Sequence, residues 1–353
     1  MKKNKINALA IVAVALVVAG LGFISIQNIK KPTENNKIGV VATSFPSYDL
    51  ARAIAGSGTN VDVKMLLKPG AESHHFEPTP QDIIAVKKSR LFIYNGGDSD
   101  SWVEKILKEI DPAKTKVVKL TDLVELKEEE QVEGMEHNHH EHEAEHDKHS
   151  GHEHEQEHKH KHHENENHKH HKHHEHHHEI DEHVWTSPVN AIKIVKKLEK
   201  MLAKVYQSEQ AQFAKNSKKY INELSLIDKN FRNLVKSGKR KTIIVADRFP
   251  FRYFADEYGL KYFAAFPGCS EQTEASPKTI AFLTEKVKSE DIPVIFKIEL
   301  SDGKIAKNIT EVTGAKILVL NSAHNITAKE FEAGKTYVDI MKENLKTLKK
   351  ALN

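Results

Sequence analysis

Twice along this chain, short β-branched runs alternate with helical stretches of about ten residues, and that alternation limits the fold more than any other feature. In the first run, residues 38–42, 61–67, 91–94 and 116–119 read as strands, with helices over 46–55, 81–88 and 102–110. In the second, strands are expected at 242–246, 260–264, 294–298 and 317–320, helices at 250–258, 277–288 and 303–313, and a last helix at 329–348. Strands joined in this way by helices form βαβ units and parallel sheets, so the fold class is α/β with two βαβ lobes. Between the two runs, residues 188–236 are helical throughout and read as two helices, the second over 208–235. A helix of some 28 residues is about 42 Å long at 1.5 Å per residue, enough to run along both lobes as a rigid spine.

Residues 128–179 break the pattern. Twenty of the 24 His lie between His137 and His178, mixed with Glu and Lys and almost nothing apolar. Such a segment buries too little apolar surface to offset the entropy of ordering, so a disordered loop is expected there. Its imidazoles, neutral for the most part at pH 7, suit it to several metal sites of modest affinity. A merely solvating polyampholyte would explain the Glu and Lys but not the His.

The N-terminus reads as an export signal. Lys2, Lys3 and Lys5 precede an apolar run over 8–26 that carries no charge, long enough also to stay in the bilayer as an uncleaved anchor. No Cys follows the run, which argues against a lipid anchor; the single Cys, Cys269, forms neither an intramolecular disulfide nor a CxxC pair. Lys and Arg outnumber Asp and Glu by 53 to 50, and the three N-terminal lysines account for the excess. A balanced body lacks the basic face that nucleic-acid binding needs. The domain reading is a signal peptide or membrane anchor over 1–29 and an N-terminal α/β lobe over 38–187 that includes the loop 128–179. A helical linker over 188–238 and a C-terminal α/β lobe over 239–353 follow.

The remaining four His are more specific. His74 and His75 sit in Gly70-Ala71-Glu72-Ser73-His74-His75-Phe76-Glu77-Pro78-Thr79-Pro80, after a strand. His183 lies in Asp181-Glu182-His183-Val184-Trp185-Thr186-Ser187-Pro188, just beyond the His-rich tract, and His324 follows the last strand in Asn321-Ser322-Ala323-His324-Asn325. In open parallel sheets, ligand sites gather at the carboxyl ends of strands. Three His on such loops, drawn from both lobes, converge on an interlobe cleft with the nitrogen ligands that zinc prefers.

The Gly70 to Pro80 stretch resembles the GAxPHxYEPTP loop of the metal-specific solute-binding proteins of bacterial ABC importers, cluster A-I, in their zinc-uptake branch. Asp181 to Pro188 resembles the same family's D-x-H-x-W-x-x-P segment, and a His-rich acidic loop between the two is typical of zinc-type members. The resemblance runs from about residue 38 to the C-terminus. It implies two α/β lobes joined by a long rigid helix with the metal between them, and it assigns His74 and His183 as the first two ligands. In the C-terminal lobe, where the family has a His or Glu, this chain has Asp247 in Ala246-Asp247-Arg248-Phe249-Pro250; where the family has an Asp, this chain has Asn321. The expected metal set is therefore His74, His183 and His324, with Asp247 or a water completing the tetrahedron and Glu271 and Glu274 in reserve.

Three nitrogens and at most one oxygen favour Zn²⁺ over Mn²⁺, and binding should weaken below about pH 6.5 as imidazoles protonate. The resemblance implies a monomeric, non-enzymatic protein outside the cytoplasm that binds Zn²⁺ as cargo, touches no nucleic acid, and hands the ion to an ABC importer permease. An extracytoplasmic zinc buffer or metallochaperone is the alternative, and a His-site chelatase a further one, since three His with an open position also describes catalytic zinc. G-x-S-x-G does not occur, and the HExxH matches, such as His142 to His146, all fall within the His-rich tract.

Overall fold

The computed structural model describes residues 38–73, 76–135, 180–270 and 274–353. The N-terminal segment 1–29 with its apolar run, His74 and His75, residues 136–179 of the His-rich tract, and Glu271 lie outside the described residues.

Each alternating run folds into one four-stranded parallel sheet. Strands β1 (Ile38–Ala42), β2 (Asp62–Met65), β3 (Leu91–Tyr94) and β4 (Lys116–Lys119) lie in the order β2-β1-β3-β4. Strands β5 (Thr242–Phe249), β6 (Lys261–Pro267), β7 (Val294–Lys297) and β8 (Lys316–Val319) repeat that order as β6-β5-β7-β8. In both sheets the winding reverses between the first strand and the third, which opens a crevice at their carboxyl ends.

Helices α1 (Phe45–Ala55), α2 (Pro80–Lys88) and the short α3 (Val103–Leu107) belong to the first lobe. Thr79 caps α2 with Asp82 three residues on and Pro in the first turn, a start signal written in the sequence. Next come α4 (Pro188–Val205) and the 28-residue α5 (Gln210–Ser237), then α6 (Arg252–Tyr258), α7 (Pro277–Ser289) and α8 (Lys304–Thr313). Where one closing helix over 329–348 was expected there are two, α9 (Ala328–Glu332) and α10 (Tyr337–Leu352). Gly334 takes φ 72°, and Thr336 with Asp339 forms a fresh capping box, so the chain restarts instead of continuing. Strand β5 outruns its expected end through an irregularity between Val245 and Arg248, which puts Asp247 in a strand and delays α6 to Arg252. Among the described residues, no helix is long and apolar enough to cross a membrane.

Helix α5 ties the lobes together. Near its start the Asn216 amide donates to the carbonyls of Ile54 and Ala55 at the end of α1, both at 3.0 Å. Near its end Phe231 packs edge-on against Phe254 of α6, ring centroids 4.9 Å apart, and Arg232 pairs with Glu257. One apolar core runs through the molecule, taking Ile54 and Leu91 from the first lobe, Leu198 and Leu224 from the two central helices, and Val245, Phe296 and Leu348 from the second. Two smaller clusters cover the outer faces of the sheets, around Phe92 and Trp102 on one side and Ile295 and Leu283 on the other.

The expected disordered loop over 128–179 is corrected at its start: residues 128–135 are folded against the second lobe. Glu128 pairs with Ile180 in an antiparallel bridge, Glu129 accepts the Cys269 N–H at 2.8 Å, and Glu130 accepts the Tyr262 hydroxyl at 2.9 Å. Met135 is buried, and the Gly134 carbonyl accepts from Thr279. A Cβ on Gly134 (φ 89°) would lie 2.0 Å from the Phe282 ring, so only glycine fits. Polar composition hid these contacts because the partners lie far along the chain, from Ile180 to Phe282.

Candidate metal centre

His183 is the most tightly held of the candidate ligands. It opens a 3-10 turn, Val184–Thr186, between the bridge at Ile180 and the start of α4, where Ser187 caps the helix by accepting the Asn190 N–H. Its ring is buried, and its Nδ1 lies 3.1 Å from the Asp181 carboxylate, which also accepts the His183 backbone N–H at 2.8 Å. An ionised carboxylate only accepts, so Nδ1 carries the proton and Nε2 is left with its lone pair. Burial alone would lower the pKa of this imidazole; the Asp181 carboxylate, by charge and hydrogen bond, raises it above the ordinary value. Asp181 is fixed in turn, its carbonyl accepting from Tyr253 at 2.8 Å.

His324 reaches the same place from the other direction. Its loop leaves β8 and is held by Glu299, the second residue past β7. That carboxylate accepts the N–H of Ser322 at 2.7 Å, the Ser322 hydroxyl at 2.5 Å and the N–H of His324 at 3.2 Å. Burial pushes the Glu299 carboxyl up, against these donors. Two non-glycine residues with left-handed backbone, Leu300 (φ 61°) and Ala323 (φ 57°), flank the junction. The His324 ring is half-buried, 5.7 Å from that of His183 by centroids, and its Nε2 is 3.3 Å from the Ser73 hydroxyl.

Trp185 packs against both, with ring centroids 5.4 Å from His183 and 5.3 Å from His324. Its indole N–H donates to the Ser322 carbonyl at 2.9 Å, and its own carbonyl accepts from Tyr337 at 2.7 Å. One side chain thus fixes the spacing of the two ligand segments. The motif loop joins from the first lobe: Gly70 N–H donates to the Asn325 side chain at 3.1 Å, and the Asn325 amide donates back to the Ala71 carbonyl. His74 follows directly in that loop and lies outside the described residues.

Among the described residues, Glu182, His183 and His324 offer ligand atoms that all lie within 4.8 Å of one another. Tetrahedral ligands 2.0–2.1 Å from one zinc ion are about 3.4 Å apart, so closure of an ångström or so would bring these atoms to the spacing of a zinc site. Asp247, the carboxylate expected on sequence grounds, lines the same cleft of about 400 Å³ but stands outside the cluster, half-buried, its Oδ1 accepting the Arg248 N–H. Glu274 is on the rim and exposed. Asn321, where the resembling family has an Asp, spends its side chain on the Ala323 N–H at 2.8 Å and so shapes the loop.

Glu182 is the residue that sequence reasoning missed. It is buried; its Oε2 accepts the Ser99 N–H at 3.0 Å, while Oε1, also buried, has no hydrogen-bond partner among the described residues. Loss of water raises its pKa to about 7, with the neighbouring His183 and the Ser99 hydroxyl and N–H pulling the other way. Space for it comes from Gly97 (φ 97°), where a Cβ would sit 2.1 Å from Oε2. The available signal was a carboxylate beside a ligand inside an otherwise buried segment.

Comparison with known proteins bears on this geometry. The family model described as the periplasmic component A of the zinc-uptake complex, ZnuA, matches residues 40–351. The high-affinity zinc uptake system protein ZnuA of Bacillus subtilis is 31% identical over 352 residues, 100% of this chain and 99% of that protein. The zinc-binding lipoprotein AdcA of Streptococcus pneumoniae is 31% identical over 316 residues, 89% of this chain; the match spans only 56% of AdcA, little more than half its length. Among solved structures, the Zn(II)-bound ZnuA-like domain of that AdcA superposes with a TM-score of 0.66 at 28% identity, over 90% of this chain and 99% of the domain. The metal-dependent lipoprotein YcdH of Bacillus subtilis superposes with a TM-score of 0.68 at 29% identity, over 90% and 99%.

Proposed function

This chain belongs to the ZnuA family of periplasmic zinc-uptake components, and from that premise we propose that it captures Zn²⁺ outside the cytoplasm and delivers it to the membrane permease of an ABC importer. The observation that carries this reading is the meeting of buried Glu182 and His183, ahead of α4, with half-buried His324, in the loop after β8. The proposed nitrogen ligands are His74, His183 and His324, with Asp247 on the cleft wall beside them. Nitrogen-rich coordination selects Zn²⁺ over Mn²⁺. Capture and release need no covalent step, and the protein acts as a binder, not an enzyme.

In the same reading, residues 1–29 direct export and, if uncleaved, tether the chain. The lobes over 38–187 and 239–353 enclose the ion, and the helices of 188–238 hold them in register. The His-rich tract rejoins the fold at Ile180, next to the Asp181–Ser187 segment, and gathers metal at high effective concentration beside the cleft.

Zinc titration of the full chain and of a variant lacking residues 136–179 tests the proposal. One tight site should survive the deletion while weaker ones disappear. Loss of all tight binding with the tract would make the protein a His-rich buffer. Zinc-dependent uptake of radioactive metal by vesicles carrying the permease and its ATPase tests delivery; tight binding without stimulated uptake would favour the buffer or metallochaperone.

A further inference from the structure

We infer that Glu182 is itself a metal ligand, closing the coordination sphere through Oε1 and linking the ion to the loop after β3 through Oε2. The inference rests on the zinc-capture reading and deepens it by naming the oxygen donor of the same site.

Three observations carry it. First, Oε1 is buried and has no hydrogen-bond partner among the described residues, which is rare for a carboxylate oxygen because taking it out of water without a donor is costly. Second, a carboxylate oxygen of Glu182 and ligand atoms of His183 and His324, two imidazoles from different segments, all lie within 4.8 Å of one another. An anion beside two neutral nitrogens is the donor set that a borderline divalent cation takes. Third, the carboxylate is aimed. Its other oxygen is pinned by the Ser99 N–H, and the room for it exists only because residue 97 is glycine. A buried side chain held at one oxygen and bare at the other, pointing at two histidines, is built to receive something positively charged.

Asp247 lacks these properties: it is half-buried, already accepts a backbone N–H, and stands outside the cluster. With Glu182 bound, the Ser99 loop senses the ion directly. That loop lies between β3 and α3 and is gathered around Asp100, whose Oδ2 accepts the N–H groups of Asn95 at 2.6 Å and Gly96 at 3.1 Å. Occupancy of the cleft would therefore stiffen a loop of the first lobe as well as joining the two His segments.

The test compares Glu182→Gln with Asp247→Asn, His183→Ala and His324→Ala in the full chain, by zinc competition against a chelator and by melting with and without zinc. Glutamine keeps an acceptor for the Ser99 N–H, so the metal-free Glu182→Gln protein should melt at or above the parental temperature. Its tight-site affinity should fall at least tenfold and its zinc-induced rise in melting temperature should shrink in step. A metal-free melting point that drops while affinity holds would make Glu182 structural only and overturn the inference. A larger loss from Asp247→Asn than from Glu182→Gln would overturn it in favour of Asp247. If His183→Ala and His324→Ala also keep the tight site, the cleft reading fails as a whole. Should Glu182→Gln not fold, a zinc-loaded structure of the parental chain decides: an Oε1 to zinc distance near 2.0–2.2 Å supports ligation, and one beyond 3 Å refutes it.

Discussion

His183 and His324 face each other across the cleft but are held by different means. The first is fixed by a side chain: Asp181 grips its ring and its backbone, and Tyr253 grips Asp181 in turn. The second is fixed through its backbone, by a Glu299 carboxylate that caps the loop, and it sits beside two residues in left-handed conformation. A ring oriented by a buried acid is ready for the ion before it arrives. A half-exposed ring on a strained loop keeps more freedom, because strain of this kind persists only while its surroundings enforce it. On the proposed zinc-capture reading, the difference would give capture to the His183 side and release to the His324 side.

The sharpest way to break this comparison is to remove each ring. Structural four-ligand zinc sites are worth about 10–16 kcal/mol, or roughly 3–4 kcal/mol per ligand, so His183→Ala should weaken tight zinc binding several hundredfold. His324→Ala should lose less, since water reaches a half-exposed position; the comparison fails if its loss is the larger in competition titrations.

The fixed side also contains a buried acid outside the ligand set. Asp100 has its pKa raised to about 6, chiefly by burial, against the pull of the Gly96 and Asn95 N–H groups and the Thr43 hydroxyl. Below about pH 4 it is protonated in folded and unfolded states alike; above pH 6 the folded protein holds a buried anion. Its contribution therefore lowers stability as pH rises from about 4 to 7, by an amount of order 3 kcal/mol. Asp100→Asn should gain on the parent across that window in denaturant unfolding without metal, and a difference independent of pH would refute the assignment.

Smaller effects separate the two supports. Asp181→Asn frees the His183 tautomer and should reduce affinity about 10- to 100-fold at equilibrium. Glu299→Gln should change equilibrium affinity less and speed zinc dissociation more in stopped-flow exchange, because it loosens a loop and leaves the rings alone. Smallest of all, Leu300→Gly should stabilise the metal-free fold by about 1 kcal/mol by relieving left-handed backbone at an exposed position. No gain in the unfolding midpoint would mean that the loop is not strained.

Most of the fold was legible because periodicity and capping are local signals. All eight strands described lie within a few residues of their expected places, and the 28-residue helix has its expected length. The closing helix was misread because Gly334 and the Thr336 cap fall inside an otherwise continuous apolar pattern. Residues 128–135 were misread because their polar groups are satisfied by Tyr262, Cys269 and Thr279, which no local window contains. His183 could be picked from the Asp181–Pro188 segment and His324 from its place after the last strand. Glu182 could not, since its role depends on an unpaired oxygen and on the space left at Gly97, and both are products of packing.

The continuous core has a mechanical consequence. Gaping the two lobes as a clamshell would expose apolar surface shared by both sheets and the central helices. Baring even 400 Å² of it would cost roughly 10 kcal/mol, comparable to the whole binding energy of a micromolar encounter with a membrane partner. If a membrane partner docks as proposed, it would have little leverage on such a body. It would instead have to peel back a single strap at the rim, and the molecule should then melt as one cooperative unit on heating.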